Sequence, residues 1–234
     1  MIPPPMLFRP NTPSVRQRSS LGAGLSLLVL VQAAAILLVF CSCPAAPRWH
    51  TVRWIDDGDT IVLTGGERIR YIGIDTPELQ HGDGREEPFA RQAKALNTQL
   101  VLHEKIRLER DRDKVDRYGR SLAYVFAMDG TFVNRELVRS GLARCLHMSP
   151  NGRYRKALLE AQRDAMKAGR GMWAHPFRET GPCMGNSASR RFHRLRCPLV
   201  KRMDRRNAVP FASTWQAFWE GYSPCSQCYG PVQK

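Results

Sequence analysis

Residues 49–74 read WHTVRWIDDGDTIVLTGGERIRYIGI. Apolar and polar side chains alternate in short runs over 49–55, 60–64 and 67–74, and the runs are separated by Asp57-Gly58 and by Thr64-Gly65-Gly66-Glu67. A two-residue period bounded by glycine and aspartate predicts three short strands. The second break predicts a tight hairpin, since glycine accepts the positive φ that such turns need. Similar runs at 105–110 and 121–128 bring the strands to five.

Helical periodicity fills the intervals. Residues 88–103 carry Pro88 in the expected first turn and place Phe89, Ala93, Leu96 and Leu100 on one face. Residues 133–140 form a short helix closed by Gly141. Residues 153–168 align Tyr154, Ala157, Leu158, Ala161 and Ala165 and stop at Gly169, after which Trp173 is expected to plug the far side of the core. No internal repeat is visible. The order predicts an α+β fold, a five-stranded closed barrel of the OB type with three helices; such barrels commonly bind nucleic acid or saccharide on one face.

A chain of 234 residues holds one medium domain with appendages. Its 36 basic and 21 acidic side chains give a formal charge of +15, which favours polyanionic partners and is silent about fold. Residues 1–47 have three basic side chains, Arg9, Arg16 and Arg18, and no acidic one; they precede an apolar run over 21–40. Twenty residues span about 30 Å as a helix, so the run serves as a signal peptide or as a membrane anchor. Either predicts an exported protein, secreted, periplasmic or membrane-anchored and facing outward. The expected division is a leader over 1–47, a barrel domain over 48–178 and a basic Cys/His module over 179–234.

Asp57-Gly58-Asp59-Thr60 alone is a turn signal. Two more motifs change its weight: RYIGIDTPE at 70–78 places an arginine inside a strand and carboxylates at its end, and DRYGRSLAY at 116–124 leads another arginine into another strand. In this order and spacing, the three stretches resemble the thermonuclease (staphylococcal nuclease-like) family over about residues 49–177. The resemblance implies hydrolysis of DNA and RNA with little sequence preference, by breaking the 5′-oxygen side of the phosphodiester and leaving 3′-phosphate ends. It further implies Asp59, Asp75 and the Thr76 carbonyl as Ca²⁺ ligands, Glu78 as the group orienting or deprotonating water, and Arg70 and Arg120 as the phosphate clamp. Asp57, Arg117 and Tyr118 fall in a supporting layer, the latter two against substrate.

The chemistry is coherent. A guanidinium donates two hydrogen bonds to phosphate and stays charged at any working pH. Carboxylates beside it repel substrate unless they hold a hard divalent cation such as calcium. The rival is a barrel that only binds nucleic acid, as a receptor in DNA uptake, and the retention of all five charged residues favours catalysis. Where the family offers tyrosines to the base, this chain reads Cys145-Leu146-His147-Met148-Ser149-Pro150, which predicts weaker grip on small nucleotides. The loop 81–85 is expected to rim the substrate groove.

Of seven cysteines, Cys41 and Cys43 lie in the leader, Cys145 suits the core, and four lie at 183, 197, 225 and 228. His193 and Cys197 are four apart, and Cys225 and Cys228 form a CxxC pair. Two close ligand pairs suit tetrahedral Zn²⁺. This tail resembles the small zinc module of the Ada DNA-repair protein, with histidine in place of its first cysteine. In an exported chain the disulfides Cys183–Cys197 and Cys225–Cys228 compete with zinc. Too few apolar residues are present for the tail to hold together unaided, and its basic run over 190–206 either faces nucleic acid or is a solvated linker.

Overall fold

The structure, a computed structural model, describes residues 48–79, 86–174 and 181–229. The leader with its apolar run at 21–40, Cys41 and Cys43, the loop 81–85 and the 178/179 boundary lie outside the described residues. Among the described residues no helix is long and apolar enough to cross a membrane.

Five strands close into a barrel: β1 (Trp49–Ile55), β2 (Thr60–Leu63), β3 (Arg68–Tyr71), β5 (Lys105–Glu109) and β6 (Ser121–Ala127), in the order β1-β2-β3-β6-β5. Antiparallel pairing of β1 with β5 closes the ring, and β3 runs parallel to β6. The predicted hairpin joins β2 to β3 with Gly66 at φ 83°. Inward residues of successive strands, among them Val52, Ile61, Ile69, Ile106 and Val125, form the barrel core, as a two-residue alternation requires. Three helices cover it: α1 (Ala90–Val101), α2 (Val133–Arg139) and α3 (Arg155–Lys167).

The differences from expectation have local causes. Pro88 precedes α1 rather than sitting in its first turn, because Phe89 takes φ 72° at the cap and the helix starts at Ala90. The third predicted strand breaks at Gly73, with φ 81°, and resumes as β4 (Ile74–Asp75), which pairs with β7 (Arg144–Cys145). Two-residue strands are too short for periodicity to reveal.

The tail is a four-stranded sheet in the order β10-β8-β9-β11, built from β8 (Cys183–Asn186), β9 (Arg191–Arg194), β10 (Ala208–Phe211) and β11 (Ser223–Pro224). Short helices α4 (Pro198–Lys201), α5 (Thr214–Trp219) and α6 (Ser226–Tyr229) lie between and after its later strands. Its apolar support comes partly from the barrel domain. Ala165 and Met166 of α3, with Met172 and Trp173, form one core with Cys183, Phe192, Phe211, Phe218 and Tyr222. Trp173 therefore fills this second core and not the barrel, with edge contacts to Trp215 and Phe218 at 6.1 and 5.0 Å.

Gln162 ties the two layers by hydrogen bonds: its Oε1 accepts from the Cys145 amide at 2.7 Å and its Nε2 donates to the Phe218 carbonyl at 2.6 Å. Arg163 donates to the Trp219 carbonyl at 2.9 Å. Because Trp173 is wholly buried, Trp173→Ala is expected to lower unfolding free energy by about 3–5 kcal/mol, the usual range for an emptied aromatic site. Urea unfolding followed by circular dichroism measures it.

Candidate active site

The site is built around the turn between β1 and β2. Asp57 Oδ1 accepts from the Asp59 amide at 2.9 Å, and the amides of Asp56 and Asp57 both donate to the Thr60 carbonyl. Gly58 is demanded by close approach: a β-carbon there would lie 2.7 Å from Ala93 Cβ on α1 and 2.8 Å from the Thr76 side chain. Buried Asn97 of α1 donates to the Asp57 carbonyl at 3.2 Å and accepts from the Tyr71 hydroxyl at 2.8 Å, fixing turn, helix and β3 together. The Thr76 amide donates to Asp59 Oδ2 at 3.0 Å.

Arg70 extends from β3 into this group. Its Nη2 bridges Asp59 Oδ2 at 3.0 Å and Asp75 Oδ1 at 3.4 Å, while Nη1 donates to the Tyr71 carbonyl at 2.6 Å. Arg144, directly opposite Asp75 in the β4–β7 pair, binds Asp75 Oδ2 through Nε at 3.0 Å and Nη2 at 2.7 Å. Three acidic side chains thus meet two guanidinium groups in a largely dry site. Burial pushes Asp59 up to about 7; Arg70 opposes this, and the charges of Asp57 and Asp75 reinforce it. Asp75 differs: burial acts upward, but Arg144 and then Arg70 outweigh it and hold the carboxyl below its usual range. Every donor available from Asp59, Asp75 and the Thr76 carbonyl is oxygen. That donor set fits a hard cation, and the bridging Arg70 nitrogen shows that the two carboxylates can share one positive charge.

The remaining predicted residues divide. Glu78 is exposed; its amide donates to Glu87 Oε2 at 3.1 Å, and its charge reaches Arg70. Arg117, Tyr118 and Arg120 form a separate turn before β6. Asp116 organises that turn by accepting from the amides of Tyr118 and Arg120, each at 2.9 Å, and from Arg120 Nε at 2.8 Å. Arg117 donates to the Tyr118 hydroxyl at 2.6 Å and stacks on its ring. Arg70 pairs with Leu122 across β3 and β6, so the two-residue alternation sets position 120 on the same face as position 70. The guanidinium of Arg120, however, is occupied by Asp116 and not by the Asp59–Asp75 group.

The 145–148 segment lies behind this group. The Leu146 amide donates to the Gly73 carbonyl at 2.9 Å, and Met148 Sδ accepts from the Gly73 amide at 3.4 Å. A shallow cleft opens beside it, lined by Leu146, His147, Arg155, Leu158 and Arg190 among others, with none of the carboxylates in its wall. Four side chains matter that sequence reasoning missed: Asn97, Asn134, Arg144 and Gln162. Asn134 accepts from the Val125 amide at 3.0 Å and donates to the Ile72 carbonyl at 2.9 Å. A polar residue within an apolar helical face was the available signal for the amides; Arg144 had none.

In the tail, the ligand atoms of His193, Cys197, Cys225 and Cys228 all lie within 4.8 Å of one another, the only such group among the described residues. His193 Nδ1 is 3.6 Å from Cys197 Sγ, and burial, followed by Arg191, holds the imidazole below its usual pKa. A neutral imidazole and three thiols are a soft-to-borderline set suited to zinc. Cys183 takes no part: it faces Arg194 across β8 and β9, and its thiol donates to the Ser213 carbonyl at 3.8 Å. All five described cysteines are free.

Comparison with known proteins agrees with the geometry. The family model described as Staphylococcal nuclease homologue matches residues 68–175. The chain is 37% identical over 127 residues to the thermonuclease of Staphylococcus intermedius, covering 53% of this chain and 75% of that one. It is 35% identical over 134 residues to the thermonuclease of Staphylococcus hyicus, covering 56% and 79%. It is also 41% identical over 103 residues to endonuclease YncB of Bacillus subtilis, covering 42% and 48%. With the barrel, the ordered motifs and that coverage together, the chain belongs to the staphylococcal nuclease family and is a nuclease.

Proposed function

We propose that this protein is a calcium-dependent, sugar-non-specific nuclease that hydrolyses DNA and RNA on the 5′-oxygen side of the phosphodiester, leaving 3′-phosphates. The observation that carries the reading is the Arg70 Nη2 bridge between Asp59 and Asp75: a buried and a part-buried carboxylate converge on one positive charge, that of a guanidinium suited to phosphate. Asp59, Asp75 and the Thr76 carbonyl would hold Ca²⁺, with waters and a substrate oxygen as further ligands. The ion would neutralise developing charge on the scissile phosphate.

The chain's own groups do the rest. Arg70 is buried and fixed at one side of the site, so its charge is available without reorganisation. Arg120 completes the clamp by exchanging Asp116 for phosphate, a shift of partner within a surface turn. Glu78 is the group that orients or deprotonates water, supported by its exposure and its electrostatic reach to Arg70. Arg117 and the 68% exposed Tyr118 offer charge and an aromatic face to flanking nucleotides. The Cys/His cluster would hold Zn²⁺ as a structural ion, and the segment before residue 48 would export the chain and associate it with membrane through residues 21–40.

Plasmid DNA and RNA incubated with the protein are expected to be degraded with calcium and spared with a chelator; magnesium and manganese arms read the ion preference from initial rates. Intact substrate under every condition supports the receptor reading instead. Calcium is expected to raise the melting temperature of the native protein, as any ligand of the folded state does, and Asp59→Ala abolishes that shift. Arg70→Ala or Arg120→Ala is expected to slow cleavage by roughly 10³-fold or more with little change in binding, because such contacts strengthen in the transition state. Equal losses in rate and binding count against the clamp.

A further inference from the structure

The shallow cleft beside residues 145–148 is walled by the barrel domain and the tail together. Two of its lining residues each carry a buried nitrogen with no hydrogen-bond partner among the described residues: Nε of Arg190 and Nδ1 of His147. A buried polar atom left so is costly, and native structures seldom keep one without a use. Arg155, the exposed first residue of α3, lines the same cleft, and no Asp or Glu does. Burial, then the charges of Arg155 and Arg190, hold His147 below its usual pKa. Arginine Nε can only donate, and a neutral imidazole can present its one N–H at Nδ1.

Arg190 is built into this position. Its backbone stands at φ 53°, in the left-handed region where glycine is the usual occupant. The Arg190 amide donates to the Asn186 carbonyl at 2.8 Å, and its carbonyl accepts from the Ser223 amide at 3.0 Å. Its Nη2 donates to the Glu220 carbonyl at 2.8 Å, and the guanidinium stacks on the Tyr222 ring at 4.2 Å. Plane and direction are thus fixed, while the charge is left unmatched. The two acidic residues of the described tail are engaged elsewhere, Glu220 with Arg163 at 3.6 Å and Asp204 with Arg206 at 2.7 Å. Arg190 also lies past residue 175, where the family match ends, so this half of the cleft is not part of the shared domain.

The ligand that fits accepts hydrogen bonds from both nitrogens and carries negative charge, which describes a phosphate oxygen between guanidinium groups. Gly73 forms part of the wall, and Asp75 follows it by two residues, at most about 7 Å of extended chain. A strand with its scissile phosphate at Asp75 therefore has a neighbouring phosphate within reach of the cleft. We propose that His147, Arg155 and Arg190 form a second phosphate subsite, made jointly by the barrel domain and the tail, that holds a phosphodiester of the substrate strand neighbouring the one cleaved. The inference rests on the reading of the Asp59–Asp75 group as the cleavage centre.

Binding of the full chain to a labelled single-stranded DNA of about ten nucleotides is read by fluorescence anisotropy in chelator, over a series of salt concentrations. Cleavage of that strand and of a dinucleotide is then followed with calcium. Arg155→Ala and Arg190→Ala are each expected to weaken strand binding by about 5- to 10-fold and to lower the slope of log K against log salt by about 0.7, the share of one phosphate contact on a single strand. On the dinucleotide, too short to reach the cleft, the loss in kcat/KM shrinks below about 2-fold. His147→Ala weakens binding by about 3-fold with the slope unchanged, because a neutral donor releases no counterion. Arg190→Lys restores the slope but not the whole affinity, since lysine lacks the Nε donor. Arg190→Ala also breaks the bond to the Glu220 carbonyl, so melting temperatures are compared; where that variant is loosened, Arg155→Ala, at an exposed residue, gives the reading. Unchanged strand affinity and slope in Arg155→Ala overturn the inference, as does an equal loss on the dinucleotide or in Arg135→Ala, the same charge taken from an exposed site on α2. Inorganic phosphate bound in calorimetry with strand affinity unchanged in the variants makes the cleft a site for the free anion and overturns the strand assignment. A wild type that cleaves neither substrate overturns the reading of the carboxylates instead, and the binding measurements still decide the subsite.

Discussion

One buried guanidinium organises the carboxylate cluster at the β1–β2 turn. Arg70 sits within β3, in contact with Asp59 and Asp75, and a charge so placed is tolerable only if its neighbours supply opposite charge and hydrogen bonds. Those neighbours come from separate parts of the chain. Asp59 arrives by the β1–β2 turn, which closes on α1 only because residue 58 lacks a β-carbon. Asp75 arrives by the break at Gly73, and its second oxygen is claimed by Arg144. Removing Arg70 would leave Asp57, Asp59 and Asp75 in mutual repulsion with Arg144 alone among them, so fold and chemistry share this contact. The pairing also explains the asymmetry between the two carboxylates: Asp75, gripped on both oxygens, is held ionised, whereas Asp59 carries the cost of burial and is pushed up to about 7.

Much of this was legible in the residues. Four barrel strands follow the two-residue alternation to within a residue at each end, the third stops at Tyr71, three residues short, and the three helices obey the 3.6 period, because both patterns arise from one buried face. Motif order brought Asp59, Arg70, Asp75 and Thr76 together, and the His193–Cys197 and CxxC spacings foretold the tail cluster. What escaped was set by tertiary context. Arg144 lies in a two-residue strand with no period to mark it, and its meaning comes only from the residue it faces. Trp173 was assigned to the barrel because it follows α3, yet it packs with Ala165 and Met166 at the C-terminal end of that helix, in the second core.

The tail posed the harder problem. Counted alone it has little apolar mass, which suggested a module held by metal or disulfides. The structure supplies the missing mass from α3 and the turn after it: Ala165, Met166, Met172 and Trp173 form one layer with Phe192, Phe211 and Phe218. Composition cannot show this borrowing, because one apolar helical face reads the same whether it serves one core along its length or two.

The shared layer bears on how the protein can be shortened. A chain ended near residue 178 would keep every barrel strand and all the residues around Arg70, yet it would turn Met166, Met172 and the indole of Trp173 out to water as a continuous oily patch. Patches of that kind draw copies of a protein together. A shortened form of this nuclease therefore calls for polar replacements along that side of α3 before it will stay dispersed in solution.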